Sequence, residues 1–316
     1  MKKVLIFTSV FAALAVLALY FVPKSASITD YAMNTTVSIT ARGRSPEAAL
    51  EAAVSEIKRI DSLMSTTSPT SDIYRINNAE AGEFVQISKE AYELIELSIE
   101  VSQASGGSFD ITVNPLVELW DISSDNPEIP TESRIEDALS RFDYRNILLR
   151  SEDSSVALKE DGMSITLGAV AKGYAADRVA GILKSHGIED AIVDLGGNIY
   201  ALGTKTIGLQ TPFASRGEYF EKCTVTDKSV VTSGPYERYF EKDGEIYHHI
   251  IDPKTGYPSQ SGLKSVSVIS ENSALADALS TALFAAGEDA AEGVLAEFGE
   301  PEAILLNKND KICRMK

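Results

Sequence analysis

The sequence predicts an α+β protein with antiparallel or mixed sheets and packed helices. Strand-like stretches follow one another in runs between residues 191 and 269. Helical periodicity of apolar residues is confined to separate stretches such as 50–64 and 170–183. The tight turn Asp243-Gly244 joins two strand-like stretches directly, as in an antiparallel hairpin. Strands joined by hairpins, instead of regular strand–helix–strand alternation, are typical of the α+β class.

Composition sets the size of the core and excludes one class of partner. The chain has 316 residues, 44% of them hydrophobic, which is enough for a core in one large domain or two interlocked ones. The formal net charge is -17 and no block of lysine and arginine occurs, which argues against a nucleic-acid partner. The acidity favours solubility and cationic or metal partners without identifying either.

The amino terminus predicts an export segment. Met1-Lys2-Lys3 precedes the uncharged apolar run Val4–Val22. A membrane span takes about 20 residues and the apolar part of a cleavable signal about 7–15, so this run is close to the length of an anchor. We expect residues 1–24 to be a signal anchor, with cleavage near Ser25-Ala26-Ser27 as the alternative, and residues 25–316 to form the functional domain. The domain then lies on the extracytoplasmic face of the cell membrane, or is exported after cleavage, because the lysines stay inside.

Cys223 and Cys313 are the two cysteines of the chain. An oxidising compartment permits a disulfide between them, and two separate thiols in the core are the alternative. Their spacing matches no metal-binding motif.

The first half of the predicted domain contains helices with recognisable starts. Pro46 suits the first position of a helix, where its missing N–H is not needed. Ser88 and Thr131 supply oxygen acceptors for the first free amides of two further helices. Gly106 and Gly107 end the helix that Ser88 begins. A short linker is predicted before residue 33, strands at 33–41, 147–149, 156–159 and 164–167, and a polar loop at 65–71.

The second half is richer in strands. Small residues in the turn Leu167-Gly168-Ala169 lead from a strand into a helix, whose free first amides suit a phosphate. This helix is predicted from Ala169 to Gly187, another from Ser273, as its cap, to Gly287, and a last one ends at Gly299. Strands are predicted at 191–194, 199–202, 207–210, 223–226, 229–233, 238–242, 245–251, 265–269, 303–306 and 311–315.

Two of the three histidines lie in the hairpin around Asp243-Gly244. His248 and His249 are neighbours in the second strand, so they are predicted to point to opposite faces. The strand ends at Asp252-Pro253, because proline has no N–H for the ladder. One histidine is therefore placed where a strand meets a rigid loop, and an edge strand without chemistry is the alternative.

Asp277 and Thr281 are four residues apart in a predicted helix and so lie on one face, beside Ser280. A carboxylate and a hydroxyl are hard oxygen ligands of the kind that Mg²⁺ takes while it keeps waters and phosphates in its other positions. A solvated or capping face of the helix is the alternative.

Seven motifs occur in a fixed order along the chain. They are Met33-Asn34-Thr35; Ser108-Phe109-Asp110-Ile111-Thr112 with Pro115-Leu116; 167–177; Asp194-Leu195-Gly196-Gly197-Asn198; 233–238; His249-Ile250-Ile251-Asp252-Pro253 with Thr255-Gly256; and 276–282. This order closely resembles the FAD:protein FMN transferase family, the ApbE-like flavin transferases of exported redox systems. The resemblance covers essentially everything after the linker.

The resemblance implies a compact α+β fold, related to the T-fold, with FAD in a cleft. It implies Mg²⁺-dependent transfer of FMN from FAD to a Thr or Ser hydroxyl of an exported redox protein, with release of AMP. A metal that bridges phosphate oxygens would be the main contributor to splitting a pyrophosphate.

The resemblance also assigns roles to single residues. The implied metal ligands are Asp277, Thr281 and the backbone carbonyl of Ala169, and the implied base is His249, whose ordinary pKa suits proton transfer. Positions that line the flavin dinucleotide are Met33, Ser108, Phe109, Asp110, Thr166, Lys172 and Ile251. This sequence departs from the family pattern at Asn34 (usually glycine), Thr67 (commonly aromatic) and Thr166 (commonly aspartate).

Two other functions fit the same residues. A pyrophosphatase would use water as the acceptor and give FMN and AMP from FAD. A non-catalytic flavin-binding protein of the cell surface would bind FAD without needing Asp277, Thr281 and His249. The sequence leaves open the acceptor protein, the choice between Mg²⁺ and Mn²⁺, and whether the protein is a monomer or a dimer.

Overall fold

The computed structural model describes residues 23–215 and 217–316. The predicted signal segment, apart from Pro23 and Lys24, lies outside the described residues. Within the described part of the chain, no helix is both long enough and apolar enough to span a bilayer.

The described residues form one large antiparallel sheet and two small ones. The large sheet has the strand order β1-β2-β6-β7-β8-β11-β12-β13, and β3-β5-β4 and β9-β10 form the small sheets. The strands are β1 (Lys24–Ala32), β2 (Thr35–Gly43), β3 (Val85–Gln86), β4 (Ile147–Arg150), β5 (Ser155–Leu158), β6 (Asp190–Asp194), β7 (Asn198–Gln210), β8 (Tyr219–Ser233), β9 (Tyr239–Lys242), β10 (Glu245–His248), β11 (Leu263–Ser270), β12 (Glu302–Asn307) and β13 (Ile312–Met315).

Helices cover one face of the large sheet and enclose the main hydrophobic core. This core contains Ile39 from β2, Ile57 and Val179 from two helices, and Val268 from β11, all of them fully buried. The α+β prediction is therefore confirmed. The helices are α1 (Pro46–Met64), α2 (Asp72–Asn77), α3 (Lys89–Ala104), α4 (Asn114–Trp120), α5 (Glu132–Leu139), α6 (Ala171–Ser185), α7 (Ser273–Ala286) and α8 (Glu288–Ala296).

The helices α6 and α7 cross closely at Gly173. A Cβ atom on Gly173 would lie 2.7 Å from Cα of Ala274 and would overlap the carbonyl oxygen of Ser273. Two carboxylates link the helices at this crossing through hydrogen bonds. Asp277 of α7 accepts a hydrogen bond from the Gly173 amide (2.9 Å), and Asp177 of α6 accepts from the amides of Ser273 (2.9 Å) and Ala274 (3.0 Å). Each helix thus satisfies unpaired amides in the first turn of the other.

A separate cluster fixes the loop that follows β10. Trp120 of α4 is fully buried, and its Nε1 donates a hydrogen bond to the carbonyl of Gly256 (2.7 Å). Its ring stacks on Tyr247 of β10, with centroids 5.8 Å apart, and Ile251 belongs to the same cluster. The chain after the hairpin is therefore held from two sides.

Several predicted strands were wrong in extent or existence. The predicted linker before residue 33 is β1, which pairs along its whole length with β2. The four predicted strands between residues 199 and 233 are two long strands, β7 and β8, which pair as one hairpin. Residues 164–167 make only one bridge, from Ser164 to Val113, so they are not a strand. Whether these segments form strands depends on pairing with distant strands of the sheet. The alternation of apolar and polar residues within one segment does not show that pairing.

Helix ends also differ from prediction. The cap of α7 is Asn272, whose side chain accepts from the Leu275 amide, and Ser273 is the first helical residue. The helix α6 begins at Ala171, two residues later than predicted. The helix α2 lies just after the predicted polar loop and was missed, because one and a half turns carry too little periodicity to detect. The predicted cap Ser88 is confirmed by its bond to the Ala91 amide (3.2 Å). Thr131 precedes α5 but makes no side-chain capping bond, so that predicted cap was wrong.

Cys223 and Cys313 are both free thiols, so the structure does not contain the disulfide that the sequence permitted. Cys223 is buried on β8, whereas Cys313 lies on β13 and contacts Glu288.

We predict that Gly173→Ala lowers the free energy of unfolding by about 1–3 kcal/mol, because the added Cβ overpacks the crossing. Gly181→Ala in the same helix is the matched control. Its Cβ would meet nothing within 4 Å, so it should raise the free energy of unfolding by about 0.5–1 kcal/mol through helix propensity. Urea unfolding of both variants measures this. Equal effects of the two substitutions would show that the close crossing does not limit stability.

Candidate active site

Asp277 is the buried carboxylate of the site. The residue is 4% exposed, and Oδ2 accepts the hydrogen bond from the Gly173 amide. The other oxygen, Oδ1, faces Nζ of Lys172 at 4.0 Å, too long for a hydrogen bond. Lys172 also approaches the carbonyl of Gly168, at 3.4 Å from its Nζ. One oxygen of Asp277 is thus fixed in place while the other faces a cation.

Hydroxyl groups continue this face of α7 toward the end of β8. Ser233 Oγ lies 2.8 Å from Ser280 Oγ and 3.3 Å from Thr281 Oγ1. Ser280 is fully buried and donates to the backbone carbonyl of Asp277 (2.9 Å). Thr281 is only partly buried. The predicted helix face therefore exists, and of its two hydroxyls Thr281 is the accessible one.

The donor groups fit a hard divalent cation. In residues 23–215 and 217–316 no three His, Cys, Asp or Glu side chains form a metal cluster. The implied set instead combines the Asp277 carboxylate, the Thr281 hydroxyl and the Ala169 carbonyl. The Ala169 carbonyl lies just before α6. The helical hydrogen-bond ladder of α6 begins one residue later, with the bond from the Tyr174 amide to the Val170 carbonyl. A few protein oxygens that leave positions for water and phosphate are what Mg²⁺ prefers.

The Gly- and Ala-rich turn before α6 is less open to anions than predicted. The Gly173 amide is taken by Asp277, and the Gly168 amide is taken by Thr166 Oγ1 (3.2 Å). A carboxylate of the protein already occupies this helix start. Any phosphate here would depend on Lys172 and a cation.

His249 follows the last residue of β10 and is held by Arg238. The carbonyl of Arg238 accepts the His249 amide (3.1 Å) and lies 3.3 Å from Nδ1. When Nδ1–H donates to that carbonyl, Nε2 is left as the proton acceptor. Burial lowers the pKa of the His249 imidazole to about 3, and the nearby charges of Arg238 and Lys172 add to this effect. The His249 imidazole is therefore neutral in the folded protein near pH 7.

His248 faces a different environment, as predicted, although the strand ends at this residue and not at Ile251. It is 4% exposed, and its ring meets Phe284 of α7 edge to face, with centroids 5.6 Å apart. Nε2 lies 3.0 Å from the carbonyl of Ser259, and Nδ1 accepts from the Ile250 amide (3.3 Å). Both ring nitrogens are thus used within the fold, which fixes the base-bearing segment against α7.

Two further basic side chains, Arg238 and Lys254, contact segments that the sequence predicted to line the site. Arg238 donates to the carbonyl of Asn34 (3.0 Å), and Lys254 Nζ lies 3.4 Å from Ser108 Oγ. Sequence reasoning did not single out Arg238 or Lys254 as binding residues. Both residues lie inside or directly after the ordered motifs, and this position could have identified them as candidate binding residues. Together with Lys172 they offer positive charge to an anionic ligand.

The turn that contains Met33 and Asn34 joins β1 to β2. Both residues have left-handed backbones, with φ of 52° and 57°. Glycine is the usual residue at Asn34 in the family that the sequence resembles, and asparagine is among the other residues that adopt this conformation most readily. The Met33 amide donates to Asp61 (2.9 Å). The departure at Asn34 therefore leaves the turn intact.

The side chains of other residues predicted to line the ligand are packed within the protein. Phe109 lies in the main core with 3% exposure, and Ile251 lies in the Trp120 cluster. Asp110 is 6% exposed and accepts from Thr112 and from the Tyr144 amide (2.9 Å), while burial raises the pKa of its carboxyl. These residues shape the surrounding loops.

A neutral imidazole directly after β10, a buried carboxylate on α7 and a lysine at the start of α6 define an enzyme site for an anionic substrate. A model of the ApbE family matches residues 33–305. The chain belongs to the ApbE family.

Relatives and solved structures agree with this membership. The FAD:protein FMN transferase of Klebsiella pneumoniae (strain 342) is 38% identical over 256 residues, which covers 81% of each chain. The protein of the same name from Treponema pallidum is 34% identical and covers 84% of this chain and 78% of its own. The crystal structure of the ApbE protein from Thermotoga maritima has a TM-score of 0.84 and 34% identity, and it covers 93% of this chain and 97% of its own. The flavin transferase ApbE from Vibrio cholerae has a TM-score of 0.80 and 25% identity, with 92% and 96% covered.

We predict that His249 makes the folded protein sensitive to acid. The unfolded chain binds a proton near the ordinary pKa of 6.5, whereas the folded site does so only near 3, so stability is lost as the pH falls below 6.5. Between pH 7 and pH 5, His249→Gln should lose less unfolding free energy than the wild type, by up to about 2 kcal/mol. Urea unfolding at the two pH values measures the difference. The same acid sensitivity in both proteins would contradict a neutral His249 in the folded protein.

Proposed function

We propose that the protein transfers FMN from FAD to a Thr or Ser hydroxyl of an exported redox protein, in a Mg²⁺-dependent reaction that releases AMP. Flavin transfer itself follows from family membership and from identities of 34–38% to FAD:protein FMN transferases. The observation that carries the finer proposal is the neutral His249 beside Arg238 and Lys172, with Lys172 also next to Asp277.

The proposed reaction is a displacement at phosphorus. Nε2 of His249 takes the proton of the acceptor hydroxyl, and the oxygen forms a bond to the FMN phosphorus of FAD. The bond from that phosphorus to the bridging oxygen breaks, so AMP leaves with the electron pair and FMN stays on the acceptor as a phosphate ester. The proton on His249 then passes to water or to AMP. A base that is neutral before the reaction is ready for this step.

Phosphate binding falls to the basic side chains and to the oxygen ligands. Lys172 and Arg238 would hold the pyrophosphate close to His249, with Lys254 near Ser108 on one side. Asp277, Thr281 and the Ala169 carbonyl would hold Mg²⁺, which neutralises charge on the phosphate oxygens. Positioning and charge neutralisation are the main needs of phosphoryl transfer.

We further propose that the amino-terminal segment holds this domain at the outer face of the cell membrane. The basic start and the apolar run Val4–Val22 support this. Amino-terminal sequencing of the membrane fraction distinguishes an anchor from a cleaved signal.

His249→Ala should strongly slow flavin transfer. We expect the rate to fall by about 10²–10⁴, because the acceptor hydroxyl loses its base. The wild type and the variant are each co-expressed with a candidate exported redox protein, and mass spectrometry detects the added FMN. His186→Ala is the matched control, since His186 is an exposed residue at the end of α6.

Equal labelling by wild type and His249→Ala would contradict the role of His249. AMP release that is the same with and without the acceptor would identify the protein as an FAD pyrophosphatase.

Asp277→Asn should raise the Mg²⁺ concentration needed for half-maximal AMP release by about 10–100-fold or more. Asparagine keeps an oxygen for the Gly173 amide, so the helix crossing is retained while the charge is lost. Asp177→Asn is the matched control. It weakens the cap of α7 and lowers stability, but it leaves the Mg²⁺ requirement unchanged. Similar Mg²⁺ dependence of wild type and Asp277→Asn would remove Asp277 from the ligand set.

A further inference from the structure

Three hydroxyl groups form a continuous chain between two residues of α7, Asp277 and Thr281. Ser280 Oγ lies 2.9 Å from the backbone carbonyl of Asp277, and Ser233 Oγ lies 2.8 Å from Ser280 Oγ. Thr281 Oγ1 lies 3.3 Å from Ser233 Oγ, the longest of the three contacts. The chain therefore starts at Thr281, passes through the end of β8, and returns to α7 at Asp277.

The number of protons in this chain fixes the direction of each hydrogen bond. A hydroxyl has one proton to donate, and a carbonyl can only accept. Ser280 donates its proton to the Asp277 carbonyl, so it can only accept in its contact with Ser233. Ser233 therefore donates to Ser280, and the same rule makes it the acceptor in its contact with Thr281. The Thr281 proton is thus directed toward Ser233.

A common partner of a helical threonine is already occupied at Thr281. Such a side chain often donates to the backbone carbonyl four residues earlier. For Thr281 this carbonyl belongs to Asp277, and it accepts both the Thr281 amide in the helical ladder and the Ser280 hydroxyl. These two donors use both of its lone pairs. The Ser233 hydroxyl is the acceptor that the fold places within reach of the Thr281 proton instead.

We propose that Ser233 is a positioning residue for the metal site, because it takes the proton of Thr281 and so leaves the lone pairs of the Thr281 oxygen for a cation. This rests on the proposed function, in which Asp277, Thr281 and the Ala169 carbonyl hold Mg²⁺. A metal ligand must present a lone pair, and an O–H that points at the cation would repel it. Partners that orient the ligands are a general feature of metal sites, and their loss typically costs about 10–100-fold in metal affinity.

A cation on Thr281 would also strengthen the hydroxyl chain. It draws electron density from the Thr281 hydroxyl, so the proton becomes a stronger donor to Ser233. Ser233 in turn donates to Ser280, which donates to the carbonyl of the residue that supplies the carboxylate ligand. Asp277 and Thr281 are thereby coupled through the two serines.

The experiment measures Mn²⁺ binding by electron paramagnetic resonance, with and without FAD, so its readout does not depend on turnover. Ser233→Ala removes the acceptor of the Thr281 proton, and Ser233→Thr keeps a hydroxyl there. Ser267→Ala is the matched control, because Ser267 is fully buried and its Oγ lies 2.7 Å from Thr232 Oγ1. Thr232 precedes Ser233 on β8, so this second hydroxyl pair lies on the opposite face of the strand.

We expect Ser233→Ala to raise the Kd for Mn²⁺ about tenfold or more, with Ser233→Thr and Ser267→Ala within about twofold of the wild type. In a Thr281→Val background, Ser233→Ala should change the Kd no further, because Ser233 acts through Thr281. An unchanged Kd in Ser233→Ala would overturn the positioning role and leave Mg²⁺-dependent transfer standing. An equal rise in Ser267→Ala or in the Thr281→Val background would do the same. Wild-type protein that binds Mn²⁺ in neither condition would overturn the proposed metal site as well.

Discussion

The candidate site depends on the close crossing of α6 and α7 at Gly173. The crossing brings the first turns of both helices together, so two positive dipole ends and their free amides lie side by side. Asp277 and Asp177 satisfy these amides, each from the opposite helix. Burial raises the pKa of Asp177 to about 6, and the charge of Asp277 adds to the rise. A positive charge beside Asp277, such as that of Lys172, offsets this repulsion.

The same crossing fixes where the chemistry can take place. With Asp277 set, one further turn of α7 places Thr281 against Ser233 at the end of β8. His249 belongs to a different part of the chain, the β9–β10 hairpin. The Trp120 cluster and the contact of His248 with Phe284 hold this hairpin in place. Lys172 connects the hairpin with α7, because its charge acts on His249 and its Nζ faces Asp277. The His249 imidazole and the Asp277 carboxylate are thus linked through the charge of Lys172.

Sequence reasoning found the groups whose relation is local, and it missed those that depend on distant partners. Asp277 and Thr281 are related by one helical turn, so their shared face could be predicted. Gly173 could not be recognised as a contact point, because the atoms that exclude a side chain there belong to α7, about a hundred residues later. The strand β1 was missed because one of its edges is unpaired and its sequence is largely polar, so only its pairing with β2 defines it.

Two of the three departures from the family pattern, Asn34 and Thr166, lie where other residue types can keep the same backbone geometry. Asn34 adopts the left-handed conformation that glycine would adopt, and its carbonyl still receives Arg238. The Thr166 hydroxyl accepts a hydrogen bond from the Gly168 amide. Like other short polar side chains, it thereby supports a turn, here the one before α6. Neither change reaches Asp277, Thr281 or the Ala169 carbonyl. Under the proposed function, these substitutions would therefore affect how tightly the flavin dinucleotide is held, and they would leave the proposed metal ligands and the proposed base in place.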